Sequence, residues 1–285
     1  MDLNELKQKM DQANYIYDDT LATVLYVALT LGRPLLIEGA AGVGKTEIAK
    51  VMASALDRDL VRLQCYEGLD ESKALYEWNY QKQLLSIQVN MNQENRDELT
   101  ASLFRDEYLL ERPLLQSIKS EKPVVLLIDE IDKADLEFPN DLLWELDQME
   151  FYIHETKRTV KAKHRPIVII TSNAEKELPD AFLRRCIFHY IDFPEAPLME
   201  EIVRTHFPNV EENVLKNAFD VFYDIRAMRD VRKKPSTSEL IDWINVLMIS
   251  GIPVEKIKKE LPFIGVVVKK DEDLSTVKEK MAQNY

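Results

Sequence analysis

Short apolar runs alternate with helix-patterned segments along the first two thirds of the chain. Residues 35–37, 60–63 and 124–128 are apolar runs of the length expected for buried strands. Residues 45–56, which lie between the first two runs, carry apolar side chains at helical spacing. A strand, a helix and a second strand in this order predict a βαβ unit, and such units build parallel sheets.

The remaining runs extend this pattern, with one looser stretch between residues 66 and 122. Asp18 and Asp19 can cap a helix that ends near Gly32 and Pro34. An amphipathic helix is predicted over residues 136–149, and a β-hairpin over 151–163. The other predicted elements are helices over 71–76, 104–118 and 178–185, strands over 84–89, 167–171 and 187–191, and a polar loop over 90–97.

The character of the chain changes after Phe193, where Pro194 and Pro197 mark a boundary. Apolar residues then recur at helical spacing, and one helix opens with the capping box that Ser236 and Glu239 form. An extended piece over 261–270 and a final helix over 274–282 complete the prediction. We therefore expect an α/β nucleotide-binding domain over residues 1–194 and a small all-helical lid over 195–285.

Composition narrows the class of protein. The 285 residues are 46% hydrophobic and 31% charged, which is typical of a soluble globular chain. The first 19 residues lack the apolar core of a signal peptide, and no apolar run approaches the ~20 residues that span a bilayer. Two widely separated cysteines favour reduced thiols and a cytoplasmic location, and four histidines show no metal-ligand spacing. A net charge of −13 disfavours nucleic acid as the main partner.

The strongest motif is GAAGVGKT, which follows the first predicted strand and opens a helix. This is the context of the phosphate-cradling pattern GxxxxGK[ST], in which backbone N–H groups and a helix N-terminus surround an anion. Three of the chain's seven glycines fall within it. Lys45 would reach the terminal phosphates, and the Thr46 hydroxyl would hold Mg²⁺. The predicted nucleotide-binding residues are Gly39, Ala40, Ala41, Gly42, Val43, Gly44, Lys45, Thr46 and Asp129.

A second motif ends the strand over residues 124–128, where four or more apolar residues precede Asp129 and Glu130. Acids at the carboxyl end of a parallel strand lie where ligands bind in such sheets. Asp129 would hold Mg²⁺ together with Thr46, and Glu130 would polarise the attacking water. Apolar strands that end in acids are common, so this motif gains its specificity from the glycine loop before it.

Three later residues are also candidates. Asn173 follows the strand over 167–171 and could orient water or contact the terminal phosphate, although strand-end caps of this type are common. Arg184 and Arg185 follow shortly after. Paired arginines usually lie on surfaces, but this position suits a positive charge supplied to a neighbouring subunit's phosphate.

Taken together, GAAGVGKT, LLIDEIDKAD, TSN and DAFLRRC resemble the AAA+ ATPases. Their order, with CYEGLDESKALYEWNY and KKPSTSELIDW, is most similar to the MoxR family and its branch associated with metalloenzyme accessory operons. The similarity covers nearly the whole chain, from about residue 15 to 273.

The resemblance implies ATP and Mg²⁺ as cofactors, assembly as a hexameric ring, and roles for the motif residues. Lys45 and Thr46 become the Walker A pair, Asp129 and Glu130 the Walker B pair, Asn173 sensor 1, and Arg184 and Arg185 arginine fingers that act in trans. It also implies a partner with a von Willebrand factor A domain, pore-facing hairpins over 78–89 and 151–163, and a role in remodelling clients or inserting metals.

One departure concerns the lid. The family often places a sensor 2 arginine near the start of a lid helix, where this chain has Ser236-Thr237-Ser238. Either Lys233 or Lys234 substitutes for it, or the role is absent. Three other functions stay open. A nucleotide-dependent scaffold with slow turnover shares every motif. A nucleic-acid motor shares the core but fits the acidic charge poorly, and a small-molecule kinase fits the two late arginines and the separate lid less well.

Overall fold

Nine strands form one central sheet and two small ribbons, within the residues that the structure describes (1–89 and 102–284 of this computed structural model). In chain order they are β1 (Leu35–Gly39), β2 (Asp59–Gln64), β3 (Tyr76–Trp78), β4 (Leu109–Glu111), β5 (Val124–Asp129), β6 (Glu150–Ile153), β7 (Arg158–Lys161), β8 (Ile167–Ser172) and β9 (Ile187–Ile191).

The central sheet has the order β2-β5-β8-β1-β9. Strand β1 pairs with β8, β8 with β5 and β5 with β2, and every one of these pairs is parallel. The carboxyl ends of four strands therefore meet at one edge of the sheet, and their amino ends meet at the opposite edge. This confirms the predicted α/β fold with a parallel sheet.

Both faces of the sheet are buried, which explains why its strands read as nearly continuous apolar runs. Alternate residues such as Leu36, Ile128 and Ile170 join one hydrophobic cluster on the first face. Their neighbours Leu35 and Ile169 are buried on the other face. The helices on that face are α1 (Leu3–Gln12), α2 (Asp19–Leu31) and α3 (Lys45–Ala55).

The start of α2 agrees with the prediction, because the Asp18 side chain accepts a hydrogen bond from the Leu21 N–H at 2.6 Å. Helix α1 was not predicted. Its only buried residues, Leu6 and Met10, are four positions apart in an otherwise polar segment, so its apolar stripe is one residue wide.

The looser stretch folds into short pieces: α4 (Glu71–Leu75), α5 (Tyr80–Val89), β3, β4 and α6 (Pro113–Lys119). The strand predicted over 84–89 is wrong, because these residues lie in α5, whose first turn Asn79 caps through the Lys82 N–H. The helix predicted over 104–118 is wrong before Pro113, since proline starts α6 and cannot lie within a longer helix. The polar loop predicted over 90–97 lies outside the described residues.

Three further predictions need correction. The helix over 136–149 starts only at Phe138, with Pro139 in its first turn, and Leu142 divides it into α7 (Phe138–Asp141) and α8 (Leu143–Gln148). The helix over 178–185 shrinks to α9 (Asp180–Leu183). The pore hairpin over 78–89 is not a hairpin, because Trp78 ends β3 and the rest is helical. The hairpin over 151–163 is confirmed as the antiparallel β6–β7 pair, and its place in a pore stays a prediction.

The C-terminal segment is helical. Its helices are α10 (Ala196–His206), α11 (Glu212–Ala227), α12 (Thr237–Ser250), α13 (Val254–Glu260) and α14 (Asp271–Asn284), and they enclose a second hydrophobic cluster around Trp243 and Phe222. Ser236 and Glu239 form the predicted capping box at α12. The extended piece predicted over 261–270 is wrong: Leu261 and Phe263 adopt left-handed backbone angles around a 3₁₀ turn.

By its internal contacts the chain divides into two units, Met1–Gly39 with Lys45–Tyr190, and Ala40–Gly44 with Ile191–Tyr285. The boundary after residue 194, as a limit between domains, stays a prediction. Within the described ranges, no helix has the length and apolar character required to cross a membrane.

Candidate functional site

The glycine loop joins β1 to α3, as its sequence predicts. Gly42 and Gly44 have φ angles of 78° and 97°, in a backbone region that residues other than glycine rarely adopt. These angles explain why glycine stands at both positions. Lys45 is the first residue of α3, so its side chain starts beside the N-terminal N–H groups of that helix.

Lys45 is buried, with 6% of its surface exposed. Its Nζ donates to the Gly39 carbonyl at 2.6 Å and to Asn173 Oδ1 at 2.8 Å. Burial lowers the pKa of this ammonium group, and the charges of Asp132 and Glu130, among other acids, partly offset that effect. The loop therefore holds a desolvated cation against strong acceptors, and such a cation favours an anionic ligand.

Thr46 and Asp129 lie together, as a magnesium site requires. Thr46 Oγ1 donates to Asp129 Oδ1 at 3.0 Å, and Thr171 Oγ1 donates to the same oxygen at 2.6 Å. Asp129 is 2% exposed. Hydroxyl and carboxylate oxygens are ligands that Mg²⁺ uses beside substrate phosphates and water. The donor set thus fits the predicted ion.

Sequence reasoning missed the partner of Asp129. Arg62 contacts Asp129 Oδ2 through Nη2 at 2.5 Å and through Nε at 3.1 Å. Strand β2 lies beside β5, with Gln64 opposite Asp129, so alternate β2 residues reach the acids. The sequence carries no signal for this contact, because it depends on which strand neighbours β5.

Glu130 is held from several directions. Its backbone is left-handed (φ 56°, ψ 53°), and its N–H donates to Thr171 Oγ1 at 2.8 Å. Carboxylate Oε2 accepts from Gln64 Nε2 at 2.9 Å and from Lys133 Nζ at 2.8 Å. Partial burial acts to raise the pKa of Glu130, but the hydrogen bonds from Lys133 and Asn173 and the Lys133 charge outweigh it, so the pKa is lowered.

Asn173 connects the two motifs. Its Oδ1 accepts from Lys45, while its Nδ2 donates to Glu130 Oε1 at 3.2 Å. Its backbone N–H donates to Asp132 Oδ2 at 3.2 Å. The amide is therefore oriented from both sides. A continuous chain of hydrogen bonds runs from the loop lysine to the acid that follows β5, which is more than a strand-end cap would require.

The two candidate arginines differ. Arg185 is engaged within its own chain, because its Nε lies 2.6 Å from Asp147 Oδ2 and its Nη1 donates to the Ala181 carbonyl at 2.9 Å. Arg184 is exposed, and its side chain has no hydrogen bond or ion pair with any residue that the structure describes. Neither side chain contacts Lys45, Asp129 or Glu130.

The lid lysines are both engaged within the C-terminal unit. Lys233 Nζ lies 3.0 Å from Glu239 Oε1, and Lys234 donates to the Met228 carbonyl. A sensor 2 role for either lysine stays a prediction, and it would require the lysine to leave these partners.

The match to a protein family agrees with this geometry. Residues 34–186, just over half of the chain, match a protein family described as the AAA domain, dynein-related subfamily. Among solved structures, the crystal structure of a candidate ATPase from Cytophaga hutchinsonii aligns with a TM-score of 0.48 at 14% sequence identity. That alignment covers 99% of this chain and 94% of the other.

Proposed function

Because the chain belongs to the AAA domain family, in its dynein-related subfamily, we propose that it binds ATP with Mg²⁺ and hydrolyses it to ADP and phosphate. Family membership itself points to a nucleotide-binding protein. The observation that carries the proposal is the hydrogen-bonded chain from Lys45 through Asn173 to Glu130. It supports the proposal because it joins Lys45, the proposed cation for the terminal phosphates, to Glu130, the proposed acid for the attacking water.

Each residue then has a physical task. When bound, the magnesium nucleotide supplies the phosphoryl group and a metal ion that neutralises its charge. The loop N–H groups and Lys45 bind the phosphates, while Thr46 and Asp129 hold the ion. Asn173 fixes the direction of the Glu130 carboxylate. Glu130, with a lowered pKa, is ionised near neutral pH and can accept a hydrogen bond from water.

The side chain of Arg62 bears on metal binding. It pairs with Asp129 Oδ2, whereas Thr46 contacts Oδ1. One carboxylate oxygen thus accepts from the threonine hydroxyl, and the other is paired with the Arg62 guanidinium, whose positive charge disfavours a metal ion at that oxygen. Thr46 and Asp129 would hold the ion, and the nucleotide would have to supply further ligands, because in the described residues no group of three acidic, histidine or cysteine side chains could hold a metal ion alone.

We further propose that the protein is of the MoxR type and acts as a hexameric ring, as the resemblance to that family implies. Arg184 is the better candidate for a finger in trans, since it is exposed and free of the contacts that hold Arg185. The proposed biological role is remodelling or maturation of a client, by metal or cofactor insertion, with a von Willebrand factor A domain partner. The motif resemblance supports this role.

The test of hydrolysis is phosphate release from ATP by the purified full chain, with and without Mg²⁺. Glu130→Gln should retain ATP binding and lose nearly all turnover, since general-base catalysis contributes about 10²–10⁴-fold. Glu177→Gln, the same change at an exposed glutamate just beyond Asn173, should behave as the native chain. Native turnover in Glu130→Gln would reject the proposed base.

A slow nucleotide-dependent switch is the second candidate, and one observation favours it. Gln64 and Lys133 both donate to Oε2 of Glu130, and the lowered pKa of this carboxyl group makes it a weaker base toward water. A native rate below about one turnover per hour, unchanged by mixing with partner protein, would favour the switch. Faster turnover that requires Glu130 would favour the ATPase.

Assembly is tested separately. Sedimentation of the chain with ATP should show a closed oligomer. Mixing Arg184→Ala subunits with Lys45→Ala subunits should restore activity, because each variant supplies the part that the other lacks. Absence of rescue at every ratio would count against action in trans.

A further inference from the structure

A cavity of the N-terminal unit lies at the edge of the sheet opposite the carboxyl ends of its parallel strands. Its volume is about 660 Å³. It opens at the amino ends of β1 and β8, between α1, α2 and the end of α3, with Leu35 and Ile167 among its lining residues. Cavities of about 300–1,000 Å³ are the usual size for sites that bind small molecules.

Two helices end here in the same way, and each end places an arginine. Helix α2 ends at Gly32 (φ 60°), after which the Arg33 N–H donates to the Ala28 carbonyl at 3.1 Å. Helix α3 ends with Asp57 (φ 51°), after which the Arg58 N–H donates to the Ala53 carbonyl at 2.8 Å. Both are Schellman-type turns, so both arginines occupy the position that leads directly into a strand.

The simplest explanation is that the arginines of this cavity only offset the partial negative charge at the C-terminal ends of the helices. Arg165 agrees with this explanation, because it donates to the carbonyls of Gly32, Leu146 and Asp147 at 2.7–3.1 Å. Arg33 also fits, since its Nη2 donates to the Arg184 carbonyl at 2.5 Å. Both side chains are therefore fixed parts of the cavity wall.

Arg58 does not agree with the explanation that these arginines only offset helix ends. Arg58 is half-buried, and its guanidinium has no hydrogen bond or ion pair with any described residue. Burial lowers its pKa, and no acid offsets that effect. A desolvated cation without a partner is costly, and proteins rarely retain one unless something else binds it.

The remaining lining residues add positive charge and apolar surface to the cavity. Lys9 adds a fourth cation, and Glu5 is the only acid among the lining residues. This gives a local positive excess in a chain whose net charge is −13. The walls between the cations are apolar, and include Leu25, Leu29 and Leu56.

We propose that this cavity binds a small amphiphilic anion, with an apolar body against the leucine wall and a carboxylate or phosphate group on Arg58. The site is separate from the nucleotide site, since one lies at the amino ends of the strands and the other at the carboxyl ends. In this proposal the anionic head group is the partner of Arg58, whose side chain has none among the described residues.

The test uses calorimetric titration of the full chain with five probes: decanoate, decyl phosphate, decanol, acetate and inorganic phosphate. Decanoate or decyl phosphate should bind, and the stronger of the two identifies the head group. Decanol lacks the charge, and acetate and phosphate lack the apolar body, so each should bind at least about tenfold more weakly.

Arg58→Gln should weaken binding of the preferred probe by about tenfold or more, because one charge-assisted hydrogen bond is worth that much. Arg105→Gln, an exposed arginine of the same unit outside the cavity, is the matched control and should bind normally. Leu29→Glu is a second variant: it places a carboxylate in the cavity wall and should abolish binding even if Arg58→Gln folds poorly.

The opposite results overturn the proposal. Equal binding of decanoate and decanol would mean adsorption to apolar surface without a charged contact. Inorganic phosphate or acetate as tight as the decyl probes would mean an ion site without an apolar pocket. No binding of any probe, or unchanged binding in both Arg58→Gln and Leu29→Glu, would remove Arg58 and this cavity from any binding role.

Discussion

The two edges of the parallel sheet hold their charges in different ways. At the carboxyl edge, Lys45 and Glu130 are tied to each other through Asn173, and Asp129 is tied to Arg62. At the amino edge, Arg58 has no partner among the described residues, although arginines beside it are fixed by carbonyls. A network in which charges offset one another can reorganise around a ligand, whereas a single desolvated cation needs a ligand from outside.

The largest effect should come from the carboxyl edge. Lys45→Ala should weaken ATP binding by about a hundredfold or more, because it removes a buried cation and its charged hydrogen bonds to phosphate. Lys50→Ala is the matched control: this lysine lies on the same helix, is exposed and pairs only with Glu47. Fluorescent-nucleotide titration of both variants is the measurement, and equal affinities would reject the loop assignment.

The next effect concerns the two arginines that follow α9. Arg184→Ala should lower ATP turnover with little change in binding, since an arginine finger acts on the transition state. Arg185→Ala should mainly lower the unfolding midpoint, because it breaks the contact with Asp147. Steady-state kinetics and thermal melts distinguish the two residues. Loss of turnover only in Arg185→Ala would reverse the assignment.

A smaller effect on stability should distinguish the two arginines Arg165 and Arg58 at the amino edge of the sheet. Arg165→Gln should destabilise the protein by about 1–3 kcal/mol, since three carbonyls lose their donor. Arg58→Gln should leave the unfolding midpoint unchanged or raised, because it removes a desolvated charge that has no partner in the described chain. Denaturant titrations of the ligand-free protein test this pair. Equal losses would mean that Arg58 is structural.

The smallest effect compares two Lys–Glu pairs at the same i, i+3 spacing, Glu130–Lys133 and Glu47–Lys50. Lys133→Met should raise the pKa of Glu130, because the lysine's hydrogen bond and charge lower it against the effect of burial. Lys50→Met is the control and should leave the pKa of Glu130 unchanged, since Lys50 pairs with Glu47 and both partners are half exposed. Carboxyl ¹³C NMR titration reads the Glu130 pKa directly, and an unchanged value in Lys133→Met would contradict the assigned pair.

The sign of the pH dependence follows from these shifts. The pKa of Glu130 is lowered on folding, so its stabilising contribution is present above the unfolded value of about 4.3 and is lost as pH falls through the folded value. The pKa of Lys133 is raised, chiefly by its hydrogen bond to Glu130, so its contribution is lost only as pH rises beyond about 10.4. Between these limits the pair is intact.

What the sequence could predict follows from how local each feature is. The glycine loop, β5 with Asp129 and Glu130, and the capping box at Ser236 are each encoded within a few residues, and their structures agree. Asn173 is placed by the strand before it. The late starts of α6 and α7 are also local features, because Pro113 and Pro139 each lie in the first turn of the helix that they restrict.

The contacts that were missed depend on strand order. Arg62 and Gln64 reach Asp129 and Glu130 only because β2 lies beside β5. The cavity at the amino edge gathers Arg33, Arg58 and Arg165 from three separate connections. No local pattern indicates that such residues meet, because their proximity follows from the order in which the strands assemble.

The most direct test of the difference between the two edges is hydrogen–deuterium exchange of the full chain with and without ATP and Mg²⁺. We expect amides of residues 39–46 and those at the end of β5 to become protected, while amides around Arg58 stay unchanged. Protection around Arg58 with none in the glycine loop would contradict the account, because it would place the nucleotide at the amino edge of the sheet.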